Sequence, residues 1–186
     1  VLMNQQVKIA EEFLKYNSIY QEWTADWRLR CYPSSALLSP QSNDIAKGMI
    51  KFKKGLPLGL HGYRWLSISL SNNIGNDDCS FDDRVKFIED NYTRIKECVD
   101  NPVDNTWWAT WDEPWRGLAT AKELVAAMES GDHTTFIGHV PVCVDGTCNG
   151  FQHYAALGRD PIIGKYTNLI PGDVPDSIYR HVAQAA

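Results

Sequence analysis

The chain has 186 residues, of which 44% are hydrophobic and 22% charged, enough apolar material for one sizeable core. Its formal net charge of −5 excludes a module whose whole surface is a basic sleeve for nucleic acid, so any such binding is local. Five cysteines (Cys31, Cys79, Cys98, Cys143, Cys148) argue against a disulfide framework and for a reducing, cytosolic or matrix-like compartment, while neither a signal pattern nor a membrane-length apolar run is present.

The chain opens in helical period, with Leu2, Ile9 and Phe13 recurring on one face, and predicts an amphipathic helix through about Tyr20. In ADWRLRCYP the RLRCY core alternates and stops at Pro33, the pattern of a short strand that sets Arg28 and Arg30 on one face. Ser42 is placed to cap a short helix over 43–52, and Gly55, Pro57, Gly59 and Gly62 punctuate a turn. Residues 63–73 read as a helix closed near Gly75. Ser80, followed by Asp82 and Asp83, starts a helix carried by Val85, Ile88, Tyr92, Ile95 and Val99 up to Pro102. NTWWATWDEPW leads through Pro114 into a helix that reaches about Ser130, with Gly131 as terminator. FIGHVPVCV, continuous and β-branched, predicts a buried strand, and FQHYAALGRD predicts the next helix. SIYRHVAQAA closes the chain in helical period. With no repeat, low-complexity tract or linker, residues 1–186 read as a single partial domain whose two ends look like cuts through continuing structure.

The phrase PVCVDGTCNGFQHYAALGRD sets a carboxylate, Asp145, at the end of the predicted strand, with Gly146 directly after it. Strand ends are where folds display reacting groups, and a carboxylate beside an unobstructed backbone carbonyl suits Mg²⁺, a hard cation that takes oxygen ligands. Taken alone, Asp-Gly is an ordinary turn signal.

The string DGTCNGFQHYAALGRD is similar to the first catalytic-aspartate motif of the T7-like phage and mitochondrial single-subunit DNA-dependent RNA polymerases. TADWRLRCYP resembles that family's DWRGR-type segment, SNDIAKGMIKFKKGLPLGLHGYRWL the stretch after it, and NPVDNTWWATWDEPWRGLA the aromatic region before the motif. The resemblance implies an α+β fragment of a right-hand polymerase palm, with helices packed on a small β-sheet. It implies template-directed nucleotidyl transfer by two metal ions, with DNA template, RNA product and NTPs as partners. Asp145 would be the catalytic metal ligand, Gly146 would offer its carbonyl, and Trp27, Arg28, Arg30 and Tyr32 would engage nucleic acid. Arginine forks match phosphate oxygens and aromatic faces support unstacked bases.

Two departures qualify the match. The family's glycine between the two arginines is Leu29, and the family's nucleotide-binding helix and second catalytic aspartate have no counterpart here. The isolated chain is therefore expected to be inactive, its missing parts coming from the rest of a polymerase chain or from a second subunit. A palm-shaped nucleic-acid-binding module without catalysis is the rival reading. The family sets the location as bacterial cytoplasm for a phage enzyme, with virion association possible in kind, or mitochondrial matrix for an organellar one. The compact spacing after TWW looks phage-like and HYAALGRD equally mitochondrial.

The remaining candidates read more plainly. Cys143 and Cys148 have neither C-x-x-C nor zinc-knuckle spacing and are expected to be buried thiols. His153 is expected to pack or to bond backbone rather than act as a base. Of Trp107, Trp108, Trp111 and Trp115, at least three are expected in the core. Lys47, Lys51, Lys53 and Lys54 are expected on a solvated helix face.

Overall fold

The computed structural model describes residues 1–144 and 146–185. Its core is helical. α3 (Gly59–Ile74), α4 (Phe81–Asp90), α5 (Tyr92–Asp100) and α6 (Pro114–Glu129) enclose a cluster of Leu66, Leu70, Ile88, Ile95, Trp111, Ala121, Leu124 and Val125. Leu70, Ile88, Ile95 and Leu124 are fully buried, each worth roughly 1.5–3 kcal/mol of transfer free energy.

The ends of these helices follow local chemistry. Ser80 accepts from the Asp83 amide at 3.2 Å and starts α4, and Gly75 closes α3 in the left-handed conformation at φ 98°. The helix expected from 80 to 101 is two helices: the backbone leaves the helical region at Asn91 (φ −103°, ψ 7°), whose side chain turns back onto the Phe87 carbonyl at 2.8 Å. α6 begins at Pro114, preceded by a 3-10 turn at Thr106–Thr110. Its amides at Trp115 and Arg116 are capped from a distance by the Asp44 carboxylate, at 2.7 and 3.0 Å.

Asp44 opens α2 (Asp44–Met49), which is capped at its own start by Asn43 rather than by Ser42 and ends before the expected Phe52. Gly48 lets α2 lie directly on α6, since a Cβ there would stand 2.8 Å from the Trp115 carbonyl group. α1 (Leu2–Phe13) stops well short of Tyr20, and its buried side chain is the polar Gln6.

The strands form two separate antiparallel pairs, so the class is α+β with most helix packing against helix. β1 (Trp23–Ala25) pairs with β2 (Cys31–Pro33), Thr24 opposite Tyr32. β3 (Leu56–Pro57) pairs with β4 (Ile137–Gly138). The buried strand expected from FIGHVPVCV is only these two residues of β4; beyond them the chain is irregular and Val144 is 91% exposed. The reason is the partner: in the antiparallel pair Gly138 lies opposite Leu56, the first residue of β3, and the amides that follow, His139 and Val140, turn to Glu123 instead. After β4 come α7 (Asn149–Gly158), α8 (Pro161–Tyr166) and α9 (Ile178–Ala185). No helix among the described residues is long and apolar enough to cross a membrane.

Candidate nucleic-acid interface and catalytic segment

Trp27, Arg28 and Arg30 do not alternate along a strand. They occupy the connection between β1 and β2, and Tyr32 lies in β2. The organiser of this tip is Asp26. Its Oδ1 accepts from the amides of Arg28 (2.8 Å) and Arg30 (2.9 Å), and its Oδ2 meets Arg28 Nε at 3.3 Å. The hydrogen bond from the Arg30 amide, more than any other influence, holds the Asp26 carboxyl below its usual range. Arg28 lies over the Trp27 ring, 5.2 Å from its centroid, while Trp27 itself is 86% exposed. Leu29, where the resembled segment has glycine, adopts φ 61°, a left-handed backbone that costs a leucine roughly 1–2 kcal/mol. The tip thus presents two guanidinium groups and an unburied indole to solvent.

The second region runs from β4 to α7. Asp145 itself lies outside the described residues, but the chain on both sides is held. Glu123 of α6 accepts from the amides of His139 (2.7 Å) and Val140 (2.9 Å). The Phe52 amide donates to the His139 carbonyl at 2.9 Å, and the Phe52 carbonyl meets His139 Nδ1 at 2.8 Å. Arg116, itself fixed by Asn73 at 2.9 Å, donates to Cys143 Sγ at 3.3 Å. Downstream, Thr147 Oγ1 accepts from Asn168 Nδ2 at 2.9 Å, and Asn168 also exchanges two hydrogen bonds with the Asp176 backbone. At Gly146 the side-chain ends of Asn149 and Gln152 come close: a Cβ there would meet Asn149 Oδ1 and stand 3.1 Å from Gln152 Oε1, so a larger residue would have to displace them. Cys148 enters α7 in the left-handed conformation at φ 59°, and a hydrogen bond with Cys148 raises the Tyr179 phenol above its usual range.

Several expectations are corrected here. Cys143 is exposed and Cys148 half-buried, so neither is an interior thiol; both belong to the irregular approach to α7. His153 is exposed on α7, where it neither packs in the core nor serves a backbone bond among the described residues. Lys51, Lys53 and Lys54 lie beyond α2 in an irregular stretch that bends at Lys53 and Lys54; Lys51 stands 3.6 Å from Glu123 and Lys53 donates to Asn17 at 2.5 Å. The tryptophans behave as expected: Trp111 is buried, Trp107 and Trp108 pack against the core, and Trp115 sits edge-on to Trp108 at 5.1 Å. Sequence pattern alone does not mark Asp26, Asp44, Glu123 or Asn168 as functional residues. Only Asp26 carries a sequence signal, an aspartate two residues before the amide it accepts.

The Gly146 carbonyl and the Asp145 carboxylate are hard oxygen donors, right in kind for Mg²⁺. In number they do not complete a site: among the described residues no three His, Cys, Asp or Glu side chains converge.

A model of the DNA-dependent RNA polymerase family matches residues 56–186. The chain belongs to the T7-like, single-subunit DNA-dependent RNA polymerases. It is 41% identical over 182 residues to the mitochondrial DNA-directed RNA polymerase of Schizosaccharomyces pombe, covering 97% of this chain and 16% of that protein. With the mitochondrial enzyme of Neurospora crassa it shares 42% over 183 residues, 98% of this chain and 13% of the relative. With T7 RNA polymerase of Escherichia phage T7 the identity is 38% over 175 residues, 94% of this chain and 20% of the relative. The chain therefore spans a fifth or less of the length of these polymerases, and its α+β architecture is consistent with the polymerase palm region.

Proposed function

We propose that this chain is the palm segment of a DNA-directed RNA polymerase, presenting Asp145 for metal binding and the β1–β2 tip for nucleic acid. The observation that carries this reading is the family match from residue 56 to 186, which includes the Asp145–Gly146 motif, at 38–42% identity to phage and mitochondrial polymerases. In the full polymerase Asp145 and the Gly146 carbonyl would hold Mg²⁺ together with a carboxylate from outside these 186 residues. When bound, the metal supplies charge stabilisation for transfer of a nucleotide from an NTP to the growing RNA.

What the chain's own residues do is position. Glu123 holds the backbone at His139 and Val140, and Arg116 and Asn168 hold the side chains of Cys143 and Thr147 on either side of Asp145. Asp26 ties the Arg28 and Arg30 amides so that both guanidinium groups leave the hairpin from one turn, suited to phosphate oxygens of template and RNA. Trp27 and Tyr32 offer faces on which a base can stack. Both a phage-infected bacterial cytoplasm and the mitochondrial matrix agree with the sources of the relatives. The isolated chain, carrying one carboxylate of the proposed metal site, does not extend RNA.

The test is Asp145→Asn in the full polymerase. Loss of a metal-ligating charge lowers the rate of RNA extension on a DNA template on the order of 10³-fold or more while the thermal midpoint stays close to the parent's. Retention of more than about a tenth of parental activity contradicts the role, since a direct metal ligand acts on the transition state itself.

A further inference from the structure

α6 delivers Leu118, Ala121, Leu124 and Val125 to the buried side of the molecule, and among them it carries a carboxylate, Glu123, only 6% exposed. A carboxylate buried on a core helix is costly unless its oxygens are occupied. Oε1 is occupied by two backbone amides, His139 and Val140, and Oε2 faces Lys51 Nζ at 3.6 Å. Those amides are the first beyond β4, where strand pairing with β3 has run out. Glu123 therefore replaces a missing strand partner for the chain as it leaves the core toward Asp145. Gly138 makes the approach feasible: a Cβ there would stand 3.2 Å from Glu123 Oε1 and 3.0 Å from Leu58 Cδ2.

We propose that Glu123 is a positioning residue of the polymerase, whose carboxylate sets the course of residues 139–144 and so the point from which Asp145 is presented. The inference rests on the reading of Asp145 given above. Glu123 touches backbone, not substrate. Its function depends on reach more than on charge, because the Lys51 partner is half exposed and such pairs contribute little.

Three substitutions in the full polymerase separate reach from charge. Glu123→Gln keeps an acceptor oxygen at the same distance and loses the charge; Glu123→Asp keeps the charge and withdraws it by one methylene; Glu123→Ala removes both. Hydrogen exchange of the His139 and Val140 amides, measured without Mg²⁺ or NTP, reads the tether directly. The Mg²⁺ concentration for half-maximal RNA extension reads its consequence. Glu123→Ala and Glu123→Asp accelerate exchange at both amides and raise the Mg²⁺ requirement by about 10–100-fold, the usual effect of losing a group that orients a metal ligand. Glu123→Gln stays within about fivefold of the parent in both readouts.

The proposal is overturned by the opposite order, with Gln impaired and Asp like the parent. It is equally overturned by unchanged exchange at 139 and 140 in the Asp variant, or by faster exchange with an unchanged Mg²⁺ requirement. Should Glu123→Ala not fold, the Asp and Gln pair decides alone. Asp145→Asn is assayed alongside: if that variant stays active the polymerase reading fails, while the exchange data still report whether Glu123 holds the segment.

Discussion

Two carboxylates in this molecule perform the same act in different surroundings. Asp26 and Glu123 each turn one oxygen toward two backbone amides, at 2.8 and 2.9 Å in the hairpin and at 2.7 and 2.9 Å below β4. Asp26 reaches amides two and four residues ahead on its own turn and is partly exposed. Glu123 reaches across from another element, with its side chain 5% exposed. The local device shapes a surface feature that can loosen without harm to the core. The nonlocal one joins a core helix to an irregular segment, so its loss leaves two half-buried amides without their acceptor.

The sharpest test of this contrast is a pair of alanine substitutions followed by urea unfolding. Glu123→Ala lowers global stability by about 2–4 kcal/mol, from two half-buried amides left unpaired. Asp26→Ala leaves the urea midpoint where it was and instead accelerates amide exchange at Arg28 and Arg30. Equal shifts in midpoint would erase the distinction. A smaller effect, of opposite sign, is expected at Leu29. Glycine removes the left-handed penalty at φ 61° and gives back part of it as chain entropy, for a net gain of about 0.5–1 kcal/mol in tip stability. Slower exchange at the Arg30 amide in Leu29→Gly checks it; faster exchange contradicts it.

The smallest effect is on pH. Asp26 is held below the ordinary 3.8, so its contribution is complete above that value and fades only as pH falls through the lowered one. Following the Arg28 and Arg30 amide signals through acid titration gives a transition below 3.8. A midpoint at or above 3.8 would mean that these amides do not hold the charge.

Sequence pattern revealed elements whose causes are local. α3 ends at Gly75 and α4 starts at Ser80 because a left-handed residue and a hydroxyl cap act within one turn of chain. The Asp145–Gly146 motif was visible as a string, and family membership followed from it. Hidden were features set by distant partners. β-branched residues in FIGHVPVCV announced a strand, yet a strand needs a neighbour, and β3 begins only at Leu56, opposite Gly138. Alternation in RLRCY suggested extended backbone throughout; Cys31 and Tyr32 are extended in β2, while Asp26, a local partner, folds the residues from Arg28 to Arg30 into a turn. Cys143 looked buried because cysteine usually is, but it lies exposed on the irregular stretch after β4, where its sulfur accepts from Arg116. Glu123 offered no signal at all, since nothing near it in sequence distinguishes a tethering carboxylate from a solvated one.

One further joint works by polarity of matching groups. Gln6 and Asn43 face each other as paired amides: Gln6 Nε2 donates to Asn43 Oδ1 at 2.9 Å and Asn43 Nδ2 donates to Gln6 Oε1 at 3.2 Å, while Gln6 Nε2 also reaches the Leu37 carbonyl at 2.8 Å. Such a pair behaves like a keyed socket. A glutamate at position 6 would match the cavity in size, yet set oxygen against oxygen at Asn43 and Leu37, so α1 would come unseated through mismatch of donors and acceptors, with no change of shape.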